Sequence, residues 1–124
     1  MRRIAVVGSR SFADYEHLRR VLQAWLPAEI ISGGAQGADT LAQRLAQDEN
    51  LPITVIKPDW SQFGRAAGPI RNRAIVDASD MVVAFWDGQS RGTASTLEYA
   101  RSKNIPVLVE WVDAEEKGES GWND

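Results

Sequence analysis

Short runs rich in valine and isoleucine alternate with amphipathic segments along nearly the whole chain. The runs are too short for helices, and we predict five strands, at 4–7, 29–32, 53–56, 81–85 and 107–109. Strands that are apolar on both faces and alternate with helices form parallel sheets covered on both sides. The pattern therefore predicts an α/β, three-layer, Rossmann-like fold with a mainly parallel five-stranded sheet in a single domain.

Four of the intervening segments have helical spacing. The first has an apolar face from Tyr15 to Leu26 and ends at Pro27. The second repeats the pattern over 38–46. The third opens at Pro69, in a first-turn position, and the fourth runs from about Thr93. The stretch 57–68 has no such pattern and is predicted as a long loop.

The segments that follow the first four strands are rich in glycine. They cover 8–12, 33–39, 57–68 and 86–93, and they hold eight of the ten glycines. In parallel α/β sheets, ligands bind beyond the carboxyl ends of the strands. We therefore predict one binding crevice at this edge, where glycine lets the backbone approach a ligand closely.

The charge is distributed unevenly. Residues 110–124 hold six acids and one base, whereas residues 1–109 hold 13 bases and 11 acids, a net charge of +2. We predict a folded domain over 1–112 and an acidic, flexible C-terminal tail over 113–124. Since the body lacks a basic stripe, nucleic acid is not an expected partner. A small anionic ligand needs only a few arginines.

Several classes of protein are disfavoured by composition. The chain has no cysteine, which excludes disulfides and thiolate chemistry, and its one histidine, His17, is predicted to face the side of the first helix that carries Arg20. No run approaches the roughly 18 apolar residues of a membrane span. We expect a cytoplasmic protein with no membrane partner. The sequence is compatible with either a monomer or a homo-oligomer.

The loop after the second strand carries Gly33, Gly34 and Gly37 directly before a helix. Backbone N–H groups at this point face the positive end of the helix dipole, which predicts a phosphate or carboxylate seat. The spacing is neither that of a Walker A loop nor the dinucleotide fingerprint. A tight turn alone is the alternative. Asp39 either complements the helix dipole or contacts the ligand.

The loop after the fourth strand matches G-x-S-x-G between Gly88 and Gly92. A hydrolase nucleophile at this turn needs a histidine later in the chain, and none is present. We instead predict a second anion-binding turn, in which Ser90 and Thr93 donate hydroxyl hydrogen bonds and Thr93 caps the helix. Capping alone is the alternative for Thr93.

Three arginines, Arg10, Arg71 and Arg91, come from separate loops around the predicted crevice. The planar guanidinium suits bidentate recognition of phosphate or carboxylate. Arg71 is predicted in the first turn of the third helix. Asn72, next to it, is a candidate for a ribose hydroxyl or a base edge.

Three aromatic side chains, Trp60, Phe63 and Trp86, fall in the predicted loops rather than on the apolar helix faces. An aromatic ring beside a binding crevice can stack on a nucleobase. Packing in the core or in a lid is the alternative for each of them.

Four motifs follow one another along the chain: Gly8-Ser9-Arg10, Ser32-Gly33-Gly34-Ala35-Gln36-Gly37-Ala38-Asp39, Ala67-Gly68-Pro69-Ile70-Arg71-Asn72, and Ala84-Phe85-Trp86-Asp87-Gly88 with Ser90-Arg91-Gly92-Thr93. In this order they resemble the YspA-like, cpYpsA-related branch of the SLOG superfamily, which also includes Smf/DprA and the "lonely guy" phosphoribohydrolases. The likeness covers about residues 3–109. It implies a crevice for a nucleotide or nucleotide-derived ligand in a sensor or binding module.

The phosphoribohydrolase branch uses an arginine at a helix start and a P-G-G-x-G-T-x-x-E loop whose glutamate assists N-glycosidic cleavage. Arg71 is similar in placement to that arginine, and Gly92-Thr93 resembles the Gly-Thr pair. The glutamate position holds Thr96, and Glu98 comes two residues later. If the chain is an enzyme, the candidate catalytic residues are Arg71, Asp87 and Glu98, because cleavage needs a carboxylate near the developing charge at the ribose.

The leading hypothesis is therefore binding of a nucleotide or nucleotide-derived ligand. The alternatives are an N-glycosidic nucleotide hydrolase and a single-stranded DNA binder similar to Smf/DprA. No cofactor is indicated, although Mg²⁺ is compatible with a phosphorylated ligand. The candidate ligand-binding residues are Gly8, Ser9, Arg10, Gly33, Gly34, Gln36, Gly37, Asp39, Trp60, Arg71, Asn72, Trp86, Asp87, Gly88, Ser90, Gly92 and Thr93.

Overall fold

The computed structural model describes residues 1–113. The predicted acidic tail, 113–124, lies outside the described residues except for Asp113. The division into a domain over 1–112 and a tail therefore stays a prediction.

All five strands form one parallel sheet in the order β3-β2-β1-β4-β5. The predicted fold class is confirmed, since the reversal of strand order beside β1 is typical of Rossmann-like sheets. The strands are β1 (Arg3–Gly8), β2 (Glu29–Ser32), β3 (Ile53–Val55), β4 (Met81–Trp86) and β5 (Val107–Trp111).

The helices cover both faces of this sheet. Those on one face pack on Ile4, Val6 and Phe85, and those on the other pack on Val82 and Ala84, so the fold has three layers. In residues 1–113, no helix combines the length and apolar character needed to cross a bilayer. One layer consists of α1 (Tyr15–Gln23) and α2 (Ala38–Asp48), and the other contains α4 (Ala67–Asp77) and α5 (Arg91–Ser102).

The centre of the sheet positions the predicted crevice. β1 and β4 pair from Ile4↔Met81 to Gly8↔Phe85, and Ile4, Val6 and Phe85 are fully buried. A backbone hydrogen bond from Ser9 N to Phe85 O (2.9 Å) continues this pairing past β1. The loops that follow β1 and β4 are thus fixed side by side.

The stretch predicted as a long loop after the third strand is largely helical. It contains the four-residue helix α3 (Trp60–Phe63) and a 3₁₀ turn (Gly64–Ala66) that runs directly into α4. Asp59 caps α3, since its Oδ1 accepts from the N–H of Gln62 (3.2 Å). The loop prediction was wrong because a single helical turn is too short to show a periodic apolar face.

Helix boundaries also differ from the predicted ones. α4 begins at Ala67 rather than at Pro69, so Arg71 is its fifth residue and lies beyond the first turn. α1 ends at Gln23, before Pro27. The residue that caps α5 is Ser90, not Thr93.

The strand β3 at the edge of the sheet is exposed on both faces, contrary to the expectation of strands covered on both sides. Ile53 and Val55 are 38% and 37% exposed. The adjacent helix α2 instead packs on β1 and β2. A three-residue edge strand therefore remains uncovered in the described part of the chain.

The environment of His17 also differs from the expected one. Its ring lies edge-on to Phe12 and Phe85, with ring centroids 5.8 and 5.9 Å away. Its Nε2 is 2.9 Å from Oε2 of Glu110 on β5. His17 thus links α1 to the edge of the sheet rather than facing solvent beside Arg20.

Candidate functional site

A cavity of about 560 Å³ opens at the carboxyl ends of the central strands. It receives residues from the loops after β1, β2, β3 and β4 and from α4 and α5. Twelve of the predicted ligand-binding residues line it: Gly8, Arg10, Gly33, Gly34, Gln36, Asp39, Trp60, Arg71, Asn72, Ser90, Gly92 and Thr93.

Five further residues line the cavity that were not among the predicted ligand-binding residues. Ile75 and Thr96 follow Arg71 and Gly92 by one helical turn, so helical spacing from the motif residues would have found them. Val7 precedes the first motif, Ala35 lies within the second, and Pro58 falls in the predicted long loop. None of these three carries a polar side chain that would have marked it.

The loop after β2 is held by a carboxylate from α2. Oδ2 of Asp39 accepts hydrogen bonds from the N–H groups of Gly33 (2.9 Å) and Ala35 (3.3 Å), and Ser32 Oγ accepts from Gly34 N (3.3 Å). The N–H groups of Gly33, Gly34 and Ala35, which were predicted to bind phosphate, are therefore already hydrogen-bonded within the chain. In residues 1–113, the N–H of Gln36 donates to no protein acceptor.

Gly37 fixes this loop against the loop after β1. Its φ is +79°, and a Cβ at this position would lie 2.2 Å from the carbonyl oxygen of Ser9. Only glycine fits both the left-handed backbone and this close approach. The sequence predicted Gly37 as a ligand residue, but it does not line the cavity.

Asp39 is 6% exposed. Burial raises the pKa of its carboxyl, while the N–H groups of Ala35 and Gly33 and the charge of Arg71 lower it by less. The carboxylate is thus kept at the cavity at a desolvation cost that its hydrogen bonds only partly offset.

Arg71 reaches across from α4 to the same loop. Its Nη1 donates to the carbonyl oxygen of Gly33 (2.6 Å), and its Nε donates to Oδ1 of Asn72 (2.8 Å). Two of its donors are therefore used for positioning, and Nη2 has no protein acceptor in the described chain. Asn72 keeps its Nδ2 as a donor toward the cavity.

A second carboxylate holds the loop after β4. Oδ1 of Asp87 accepts from the N–H groups of Gln89 (2.8 Å) and Ser90 (3.0 Å), and its own N–H donates to Ser9 Oγ (3.1 Å). Burial raises the pKa of the Asp87 carboxyl, but the N–H groups of Gln89 and Ser90, with smaller contributions from the Ser9 hydroxyl and its own N–H, outweigh burial and lower the pKa below its usual value.

The start of α5 presents hydroxyl groups and free amides. Ser90 Oγ caps the helix by accepting from the N–H of Thr93 (3.5 Å) and donates to Thr93 Oγ1 (3.2 Å). Within residues 1–113, the N–H of Gly92 has no protein acceptor. The positive end of the α5 dipole therefore remains open at the cavity.

Several predicted residues lie outside the cavity. Trp86 ends β4 and stacks on Trp111, with ring centroids 5.4 Å apart, so its ring already has an aromatic partner. Gly88 packs near Trp111, and Ser9 is buried beneath the loops. Phe63 lies on α3 but does not line the cavity either.

The carboxylates proposed for catalysis are also separated from it. Glu98 lines a different concavity, of about 450 Å³, together with Arg91 and Arg101. Asp87 contributes its hydrogen bonds to its own loop and does not line the main cavity. In the described part of the chain, Asp39 is the acidic residue that does.

The fold and this cavity define a single-domain, Rossmann-like α/β protein with a crevice at the carboxyl edge of its sheet. Residues 2–63 match the model of the YspA, cpYpsA-related SLOG family. The chain belongs to this family, as its motifs indicated. A search of curated proteins found no match.

Three solved structures share the fold. DNA processing protein A (DprA) from Streptococcus pneumoniae superposes with a TM-score of 0.76 and 21% identity over 88% of this chain. DprA from Helicobacter pylori, described with a single-stranded DNA binding mode, has a TM-score of 0.68 and 23% identity over 86%. The structural genomics target TM1055 has a TM-score of 0.65 and 22% identity over 86%, and 72% of its own chain is covered. The present chain spans 50% and 64% of the two DprA chains.

Proposed function

We propose that this protein binds a nucleotide or nucleotide-derived ligand in the cavity between the loops, as a sensor or binding module. The observation that carries the proposal is the lining itself: two arginines from separate elements, Arg10 and Arg71, face a cavity that contains one carboxylate, Asp39, within the described chain. Its volume lies within the range of about 300–1,000 Å³ common for small-molecule sites.

The phosphate would bind at the start of α5. There the free N–H of Gly92 and the hydroxyl of Thr93 adjoin the positive end of the helix dipole, while Arg71 adds a charged donor. This placement differs from the sequence prediction, because Asp39 already occupies the amides of Gly33 and Ala35. Among the cavity-lining residues of that loop, Gln36 keeps an N–H group that donates to no acceptor within residues 1–113.

The base would stack on Trp60. Its side chain is 59% exposed, it lines the cavity, and it comes from the short helix α3. Asn72 offers its Nδ2 group to a sugar hydroxyl or a base edge. Since residues 1–113 bring together no cluster of three metal-ligating side chains, a Mg²⁺ ion would take most of its ligands from phosphate and water.

Calorimetric titration tests this proposal. We expect AMP, ADP, a cyclic nucleotide or ADP-ribose to bind with a Kd well below about 1 mM. Arg71→Ala should weaken binding about tenfold or more, because a charge-assisted hydrogen bond is lost. The matched control is Arg73→Ala on the same helix, since Arg73 is exposed and does not line the cavity. Absence of binding by every ligand, or equal loss in both variants, would contradict the proposal.

Catalysis is tested in the same samples. The N-glycosidic alternative predicts release of free base from the nucleotide, and it requires a carboxylate at the ribose. Asp87 and Glu98 do not line the cavity. We therefore expect Glu98→Ala and Asp87→Asn to bind nucleotide as the parent does, since the amide oxygen of the asparagine can still accept from the N–H groups of Gln89 and Ser90. Base release that either variant abolishes would favour the enzyme over the binding module.

Single-stranded DNA is the second candidate ligand. The net charge of the body argues against strong duplex binding but not against a single strand, and the H. pylori DprA that shares this fold is described as binding single-stranded DNA. Trp60 is exposed and lines the same cavity as Arg10, which would suit a stacked base and its phosphate. This candidate predicts binding of an oligo-dT strand that weakens steeply with salt and is lost in Trp60→Ala.

A further inference from the structure

One oxygen of the cavity carboxylate has no partner. Both hydrogen bonds that hold the loop after β2 end on Oδ2 of Asp39. Within residues 1–113 no donor is hydrogen-bonded to Oδ1, although Asp39 is 94% buried and lines the cavity. A buried carboxylate oxygen without a donor is costly, and native structures rarely retain one. The missing donor is thus to be supplied from the cavity.

The neighbouring guanidinium does not fill this role. A Cβ placed on Gly33 would lie 2.9 Å from both Arg71 Nη1 and Asp39 Oδ2, so the two charged groups flank the same residue. Even so, no ion pair joins them in the described chain, because Nη1 is directed to the carbonyl oxygen of Gly33. The cavity therefore presents a cation and an acceptor side by side.

We infer that Asp39 accepts a hydrogen bond from a sugar hydroxyl of the ligand, so that the site selects ribonucleotides over nucleotides that lack the ribose hydroxyls. This inference rests on the proposed function of the same cavity. An ionised carboxylate is an acceptor only, so its partner must be a hydroxyl or an N–H group. It would repel a phosphate.

The short distance between Arg71 and Asp39 favours a sugar hydroxyl over an N–H group of the base as the donor. If Arg71 binds the phosphate, the donor to Asp39 must lie near that phosphate on the ligand. In a nucleotide the sugar is joined directly to the phosphate, whereas the amino groups of the base lie beyond the sugar. The base is expected at Trp60, which lies at the exposed side of the cavity.

Calorimetry with matched nucleotides tests this selectivity. ADP and GDP are compared with their 2′,3′-dideoxy counterparts, and 2′-deoxy forms then locate the hydroxyl. The parent protein should bind the dideoxy forms about tenfold more weakly or worse, since a hydrogen bond to a charged group is lost.

Asp39→Asn removes the acceptor without removing the loop contact. The amide oxygen can still accept from Gly33 and Ala35, which leaves an NH₂ group in place of Oδ1. We expect this variant to bind ribo and dideoxy forms within about twofold of each other. Asp77→Asn is the control, because Asp77 is exposed on α4 and does not line the cavity, and it should keep the full preference.

The outcomes separate the two proposals. Equal binding of ADP and dideoxy-ADP by the parent protein overturns the role of Asp39 but leaves nucleotide binding intact. Retention of the preference in Asp39→Asn also overturns that role. If neither ADP nor GDP binds in any form, both proposals fall for these nucleotides. Should Asp39→Asn fail to fold, the comparison in the parent protein still decides.

Discussion

In the loops after β2 and β4, an aspartate stabilises the loop in the same way, but the two carboxyl groups have different surroundings. In each, an aspartate accepts hydrogen bonds from two N–H groups of the loop: Asp39 from Gly33 and Ala35, Asp87 from Gln89 and Ser90. At Asp39 the effect of burial is larger than that of the hydrogen bonds, so its pKa is raised. At Asp87 the hydrogen bonds have the larger effect, so its pKa is lowered. The first acid faces the cavity and the second does not.

An aspartate that accepts from two N–H groups of its loop can therefore serve two purposes. Asp87 is placed where its hydrogen bonds stabilise the fold. Asp39 is buried at the cavity, where desolvation costs stability, and we attribute this placement to its proposed role in ligand binding. Variants in the two loops test this difference.

The largest effect is expected from Gly37→Ala. The new Cβ would lie 2.2 Å from Ser9 O in a backbone with φ +79°, so we expect a loss of about 3 kcal/mol or more in the free energy of unfolding. The counterpart in the other loop, Gly88→Ala, has φ +81° but its nearest contact is 3.3 Å away on the ring of Trp111. It should cost only about 1–2 kcal/mol. Urea denaturation measures both, and equal losses would show that the close approach at Gly37 is not limiting.

Removing the carboxylate of the second loop ranks next. Asp87→Ala leaves the N–H groups of Gln89 and Ser90 without their acceptor, and the expected loss is about 1–2 kcal/mol. Chemical denaturation at neutral pH provides the value. An unchanged midpoint would mean that water replaces the carboxylate without cost.

A smaller effect is expected where the two loops meet. Ser9 is buried, and its Oγ accepts from the N–H of Asp87 (3.1 Å). Ser9→Ala should cost about 1 kcal/mol in the free energy of unfolding, because a half-buried N–H loses its acceptor. Ser11→Ala, at an exposed position of the same loop, is the control. A neutral Ser9→Ala would show that the loops are not coupled through this bond.

The smallest effect is the pH dependence of stability, and its sign differs between the two acids. The folded-state pKa of Asp39 lies above the unfolded value of about 3.8, so its ionisation reduces stability as pH rises through that window. Asp39→Asn should remove this loss, so its stability relative to that of the parent protein should increase as pH rises. For Asp87 the folded-state pKa lies below the unfolded value. Its ionised carboxylate therefore stabilises the fold at pH values above the unfolded pKa, and this stabilisation is lost as pH falls through the folded pKa. Thermal unfolding from pH 3 to 7 follows both, and shifts of the same sign would contradict the assignment.

Much of the fold was predictable because the determining interactions are local or repetitive. The buried runs at β1, β2 and β4 are continuous in apolar residues, and their strands begin and end within one residue of the predicted limits. The single turn of α3 was missed because four residues carry no period. The exposure of β3 was missed because it depends on where α2 packs rather than on the strand itself.

The candidate site was predictable as a region but not in its hydrogen bonding. Parallel topology alone brings the glycine-rich loops to one edge, which is why so many motif residues line the cavity. That Asp39 fills the amides of Gly33 and Ala35 depends on the folded path of the loop. The separation of Glu98 from the cavity follows from its place on the outer face of α5. The binding roles of all these residues stay predictions.

The most direct measurement is a ¹⁵N NMR titration of the full chain with ADP. We predict saturable shifts at the backbone amides of Gly92 and Gln36 and at the indole N–H of Trp60, with little change at the indole of Trp111, which stacks on Trp86 away from the cavity. Shifts confined to Trp111 and its neighbours, or none at all up to about millimolar ADP, would contradict a nucleotide site between the loops.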